Sequence, residues 1–157
     1  MSDCPMTVFG KKQLEDELNH LIRNEREEVK QAIQEARELG DLKENAEYAA
    51  AKERQSIIEG KIMDLQSKLA RARVIDVSHL NSEKIVFGAT VTIHDQQKDI
   101  ELTYQIVGED EAIHDPKKIS YNSPLGKSLI GKEEGDEVIV KAPKGDLVYE
   151  VLSIKYS

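Results

Sequence analysis

Asp41 and Glu44 are the residues of this chain best placed to do chemistry, two carboxylates inside the string Gly40-Asp41-Leu42-Lys43-Glu44-Asn45-Ala46-Glu47-Tyr48. Two readings are open to them. Asp-x-x-Glu at the head of a helix is a capping box, in which Asp41 accepts from backbone N–H groups, Glu44 reaches back, and the helix dipole favours both charges. Alternatively, carboxylates so spaced at an exposed tip are oxygen ligands for a hard cation, since Mg²⁺ is often held by one or two carboxylates together with substrate phosphates. Arg37, Lys43 and Lys52 gather near the same stretch, either as solvated helix charge or as a small patch for an RNA backbone. Tyr48 reads as a packing residue at the edge of a helix seam.

Other chemistries find little support. The histidines at 20, 79, 94 and 114 have no paired ligand spacing, and the single cysteine, Cys4, neither completes a zinc site nor forms an internal disulfide. Gly126-Lys127-Ser128 resembles only the tail of a phosphate loop, without its upstream glycine, and no nucleophile and base are paired. A net charge of −8 argues against an electrostatic grip on bare nucleic acid. Residues 1–76 carry 13 Lys and Arg against 16 Asp and Glu, and residues 77–157 carry 9 against 14, so neither half is a basic module. Any nucleic-acid contact must be local or lent by a partner. No basic-then-apolar leader opens the chain and no run approaches about 18 apolar residues, so neither a signal peptide nor a membrane span is expected. The lone cysteine suits a reducing compartment, and a cytoplasmic protein is the expectation.

The tip residues need elements to carry them. Thr7 is the first plausible N-cap, and apolar residues then fall at Leu14, Leu18, Leu21, Val29, Ala32, Ala36 and Leu39, with Glu25 filling one seam slot. This is a heptad seam with a stutter at Leu21, Glu25 and Val29, where the supercoil should relax. Gly40 stands where a helix-ending glycine belongs. The return helix has its stripe at Ile58, Ile62, Leu65, Leu69 and Ala72, with Leu21 facing Ile62 or Met63. Gly60 interrupts it, for a close helix approach or a bend. The pattern predicts an antiparallel coiled-coil hairpin over residues 1–76 with its tip at 40–45.

Beyond Val74 the period changes to that of strands. Runs at residues 74–77, 85–87, 90–93, 100–106, 137–140 and 148–151 predict a mainly antiparallel sheet over residues 77–157, with a turn at residues 143–146. One short helix is expected, capped by Ser123, opened by Pro124 and stopped by Gly131. The fold class is α+β.

The motif from Ala36 to Tyr48, followed by Ala50, Ala51, Lys52 and Glu53, closely resembles the hairpin tip of the bacterial Gre transcript cleavage factors. So do Pro5-Met6-Thr7, Ser123-Pro124-Leu125, Leu129-Ile130-Gly131-Lys132 and Tyr149-Glu150, and the resemblance spans nearly the whole chain. It is to the branch without a strongly basic hairpin. It implies a C-terminal domain of FKBP-like fold that docks on bacterial RNA polymerase, and a coiled coil that enters the secondary channel. Asp41 and Glu44 would then help hold an Mg²⁺ shared with the polymerase active centre, none being bound tightly by the free protein. Arg37 and Lys52 match the family's basic patch toward the 3′ end of nascent RNA. Lys43 departs from the commoner serine between the acids; a cation there either slightly weakens metal recruitment or adds an RNA contact, and leaves the ligands in place. The resemblance implies an accessory factor, not an enzyme, that stimulates cleavage of backtracked RNA so that arrested complexes resume elongation. The expected protein is a monomer without membrane contact. An inhibitor using the same channel, and a peptidyl-prolyl isomerase suggested by the FKBP-like resemblance, stay open as alternatives.

Overall fold

Heptad periodicity in the first half and alternation in the second become two separate bodies in the computed structural model, which describes residues 3–40 and 45–156. Contacts cluster Lys12–Arg71 into one unit, and Asp3–Lys11 with Ala72–Ser157 into another. The division differs from one at residue 76 because Cys4–Thr7 (β1) pairs in parallel with Ala72–Ile75 (β2), which draws both chain segments into the β-rich unit.

The outgoing arm consists of Val8–His20 (α1), a π-helical segment Leu21–Glu25, and Arg26–Arg37 (α2); the return arm is Ala46–Ala70 (α3). Leu14, Leu21, Val29, Ile33 and Ala36 are buried on the outgoing arm, and Ala51, Ile58, Ile62 and Leu65 on the return. The step from Leu21 to Val29 is one residue longer than a heptad, and the wide π turn absorbs the surplus at the stutter. Three seam assignments need correction. Leu39 is 67% exposed, and Ile33 takes the buried position ahead of Ala36. Ala72 belongs to β2, and Met63 is 70% exposed, so Ile62 is the seam residue. The arms run antiparallel: Arg26 donates from Nε and Nη2 to Glu59 Oε2 at 3.1 and 2.9 Å, while Arg54 Nη2 lies 3.4 Å from Glu28 Oε2.

Gly60 marks no close approach, because a Cβ built there meets nothing within 4 Å. Glycine in an exposed helix interior costs about 1 kcal/mol relative to alanine. Gly60→Ala is therefore expected to stabilise the hairpin by about that amount, read as a raised midpoint of helical circular dichroism on heating. An unchanged or lowered midpoint would show that Gly60 answers a need other than space.

The β-rich unit is built on Thr90–Asp95 (β3), Ile100–Val107 (β4), Lys118–Ser120 (β5), Glu137–Ala142 (β6) and Gly145–Lys155 (β7), ordered β5-β4-β3-β7-β6. All pairings in this sheet are antiparallel except β4 with β5. Alternation sends Val91, Ile93, Val138, Val140 and Val151 into a core with Ile85, Ile106 and Leu129. Residues 85–87 do not form the expected strand. Ile85 is nonetheless fully buried and anchored by its backbone, donating to Lys132 O and accepting from Gly131 N, both at 2.8 Å. The β6–β7 hairpin turns at Pro143 and Lys144, with Gly145 at φ 126.

Two short α-helices occur here among the described residues, where one was expected: Glu109–Ile113 (α4) and Pro124–Leu129 (α5); Val77–His79 adds a single 3-10 turn. Ser123 caps α5 as its sequence demands, its Oγ accepting from Gly126 N at 3.1 Å. Burial pushes up the pKa of Tyr149, with Asp95 adding to it; burial and then Glu109 do the same for Tyr121. Both phenols therefore stay neutral near pH 7. Among the described residues, no helix is long and apolar enough to cross a membrane.

Candidate functional site

The end of α2 and the start of α3 bracket the segment that carries the two acids. Asp41, Lys43 and Glu44 lie outside the described residues. The capping box read at Asp41 and Glu44 thus lies outside them too; the N-cap of α3 is Asn45, in extended backbone, whose side-chain oxygen accepts from Tyr48 N at 3.0 Å. The same amide donates from Nδ2 to Ala36 O at 2.5 Å. The last carbonyls of one helix and the first N–H groups of the next have no intrahelical partners, and Asn45 supplies one of each. Ala36 O also accepts from Leu39 N at 3.1 Å, and Gly40 follows at φ 124, a conformation that glycine adopts without strain.

Around this bridge stand the sequence-derived cations. Arg37 is exposed, with its guanidinium over the half-buried Tyr48 ring at 5.9 Å from the centroid. Lys52 is exposed and donates to Gln55 Oε1 at 3.2 Å. Neither is ion-paired among the described residues, whereas Arg26, Lys30 and Arg54 in the same unit each hold a carboxylate. The structure thus brings Arg37 and Tyr48 together across the two arms, and Lys52 follows Tyr48 by one helical turn. Tyr48 packs, as expected, but its partner is a cation. Among the described residues, no group of three or more His, Cys, Asp or Glu is placed to hold a metal.

A second cluster, in the β-rich unit, escaped sequence reasoning. Thr7 is the N-cap of α1, its Oγ1 accepting from Gly10 N at 3.0 Å, while its hydroxyl donates to Glu111 Oε1. The other oxygen of Glu111 accepts from Lys118 Nζ at 2.7 Å, and that ammonium lies 4.3 Å from the centroid of Phe9. Thr7 and Glu111 are both buried. A Cβ at Gly10 would displace the Glu111 carboxylate, and one at Gly108 would stand 2.7 Å from the backbone oxygen Pro5 O, so glycine at 108 is required by close approach. The cluster walls a cleft of about 310 Å³ that Asp76, Ser78 and Gln105 also line. Each charge in the cluster is already matched, so its work is structural.

Comparison with known proteins settles the lineage. A family model described as transcription elongation factor, N-terminal, matches residues 4–74, and one described as transcription elongation factor, GreA/GreB, C-term, matches residues 80–156. The chain is 55% identical to the transcription elongation factor GreA of Thioalkalivibrio sulfidiphilus and 56% identical to that of Ruthia magnifica, in each case over 99% of both chains. A crystal structure of GreA factor homolog 1 from Thermus thermophilus is 29% identical, covers 98% of this chain and 99% of its own, and superposes with a TM-score of 0.45. The assignment does not lean on that superposition. With both halves matched in order and the relatives aligned end to end, the chain belongs to the GreA/GreB family of transcription elongation factors.

Proposed function

We propose that this elongation factor acts on backtracked RNA polymerase by lending Asp41 and Glu44 to the polymerase active centre, its hairpin inserted in the secondary channel and its β-rich unit docked outside. The observation that carries this reading is the pair of elements around the tip: the acid-bearing segment is bracketed by two antiparallel helices bridged by Asn45, with Arg37 and Lys52 exposed nearby and in no ion pair among the described residues.

Two carboxylates offer oxygen only, which suits Mg²⁺ and leaves most of an octahedral shell to other ligands. Such an ion would polarise the scissile phosphate and steady charge in a two-metal hydrolysis. The part played by this chain is to hold two acids at the end of a stiff arm. The return helix has 25 residues, roughly 38 Å at 1.5 Å per residue. Arg37, Lys43 and Lys52 would meet the phosphates of the extruded 3′ RNA. The protein is an accessory factor whose chemistry is completed by polymerase, and we place it in the cytoplasm as a monomer.

Addition of the protein to a purified, backtracked elongation complex tests this reading. Release of a short 3′ RNA fragment followed by renewed elongation is the expected result. Stalling without cleavage would make it an inhibitor of the same channel. RNA cleavage by the protein alone would overturn the accessory role.

Arg37→Ala combined with Lys52→Ala is expected to weaken action on backtracked RNA most at low salt, since every phosphate contact contributes counterion release. For single strands, two lost contacts flatten the slope of log affinity against log salt by about 1.4. Equal salt slopes for variant and parent would leave both residues as solvated helix charge.

A further inference from the structure

We propose that β6 is a self-pairing edge, through which two copies of this chain join antiparallel about Ile139 in a weak, reversible dimer. The monomer that acts on polymerase is one side of that equilibrium. The dimer is independent of any role for Asp41 and Glu44.

The backbone of β6 has one free side. β6 ends the sheet, with β7 as its neighbour. Their register sets Glu137 opposite Glu150, and one step earlier Val151 N donates to Asp136 O at 2.9 Å. Hydrogen-bonded positions alternate along an antiparallel ladder. Val138 and Val140 therefore bond to β7, whereas the N–H and C=O groups of Glu137, Ile139 and Lys141 point off the edge. Among the described residues those three make no backbone bond outside the ladder. An open cleft of about 410 Å³ lies between this edge and Lys127, Ser128, Ile130 and Lys132, which leaves room for the side chains of an added strand.

Charge selects the occupant. The alternation that buries Val138 and Val140 leaves Glu137, Ile139 and Lys141 exposed on the opposite face. Glu137 stands across from Glu150, a like-charge pair that weakens a sheet, whereas Lys141 stands across from Asp146. Glu137 and Lys141 are equally far from Ile139 along the strand and opposite in sign. When a second copy runs antiparallel with Ile139 facing Ile139, each Glu137 meets Lys141 of the other copy and gains the cation that β7 denies it. The same register brings every outward N–H against an outward C=O. A parallel alignment would instead set Glu137 beside Glu137. Charges on an edge ordinarily keep other strands away; here their order favours the same strand reversed.

Sedimentation of the whole chain from about 10 μM to about 1 mM tests this, since a single strand edge is a small interface of the weak, transient class. The parent is expected to dimerise within that range and to dissociate as salt is added. Glu137→Lys and Lys141→Glu each turn both attractive pairs of the dimer into repulsive ones, and each should raise the dissociation constant about tenfold or more. Carrying both substitutions in one chain restores the match. Mixing the two single variants restores it as well, so they should associate with each other more tightly than either does with itself. Glu137→Lys also places a cation across from Glu150, so it is expected to melt no earlier than the parent, and unfolding then does not account for its lost association. A parent that stays monomeric to about 1 mM overturns the proposal. So does a dimer indifferent to the charges at 137 and 141, or a failure of the double variant or of the mixture to restore it.

Discussion

Asp41→Asn combined with Glu44→Gln is expected to abolish stimulated RNA cleavage while leaving polymerase affinity and thermal stability close to parental. The amides keep the size of the side chains and remove the negative charge on which an oxygen-loving cation depends. A catalytic metal is worth several kcal/mol of transition-state stabilisation, and at about 1.4 kcal/mol per decade its loss lowers the rate roughly 10²- to 10⁴-fold. Stability should hold because α3 takes its cap from Asn45, so neither acid is needed to start the helix. That separation makes the experiment sharp. Single-turnover cleavage of a backtracked complex, with binding measured in parallel, decides it: a double variant that cleaves at the parental rate means the acids are not ligands, and one that melts early means they serve the fold after all.

Glu111→Ala should be strongly destabilising to the β-rich unit. It leaves the Lys118 ammonium, 17% exposed, without its carboxylate, and strips the Thr7 hydroxyl of its acceptor. Breaking one side of a buried ion pair costs about 3 to 5 kcal/mol, far more than the loss of an exposed pair. Glu111→Gln keeps an oxygen for Thr7 and should cost less. Replacing Glu111 and Lys118 together by apolar residues of similar size should restore much of the loss, because the penalty comes from the stranded charge. Denaturant unfolding of the three variants gives the ranking, and a loss below about 1 kcal/mol for Glu111→Ala would assign the pair the weight of a surface contact.

These two sites differ in how far the sequence announced them. The hairpin was legible because its information is local: Leu14, Leu21, Val29 and Ala36 repeat along one face, and the irregular step between Leu21 and Val29 marks where the helix widens. Thr7 and Ser123 were legible as caps for the same reason. Asn45 satisfied an equally strong rule, asparagine directly before a helical pattern, but the neighbouring Asp-x-x-Glu offered a competing cap one turn earlier. Its bond to Ala36 O depends on the return of the chain and has no sequence signature. Glu111 and Lys118 carried no signal either. Glu111 meets Thr7 across 104 positions, where Pro5 of β1 lies against Gly108 at the head of α4, a meeting with no local sequence pattern. Ile85 shows the converse failure, since its residue type favours strands while its backbone bonds go to the loop after α5. The resemblance to the Gre factors singled out Asp41 and Glu44, which lie outside the described residues.

The widened turn at Leu21–Glu25 also bears on how such an arm can change length over evolution. A π turn is an α-helix with one residue to spare, so a deletion inside it closes the helix to ordinary pitch and brings Leu21 and Val29 back to heptad spacing. A deletion elsewhere in the arm, with the turn kept, rotates everything beyond it by about 100° and swings Ile33 and Ala36 out of the seam. The arm therefore has a junction at which a residue can be lost while Ile33 and Ala36 keep their place in the seam. Chimaeras that join the base of one such hairpin to the tip of another should be spliced there, and single-residue gaps between aligned relatives should fall within the same five positions.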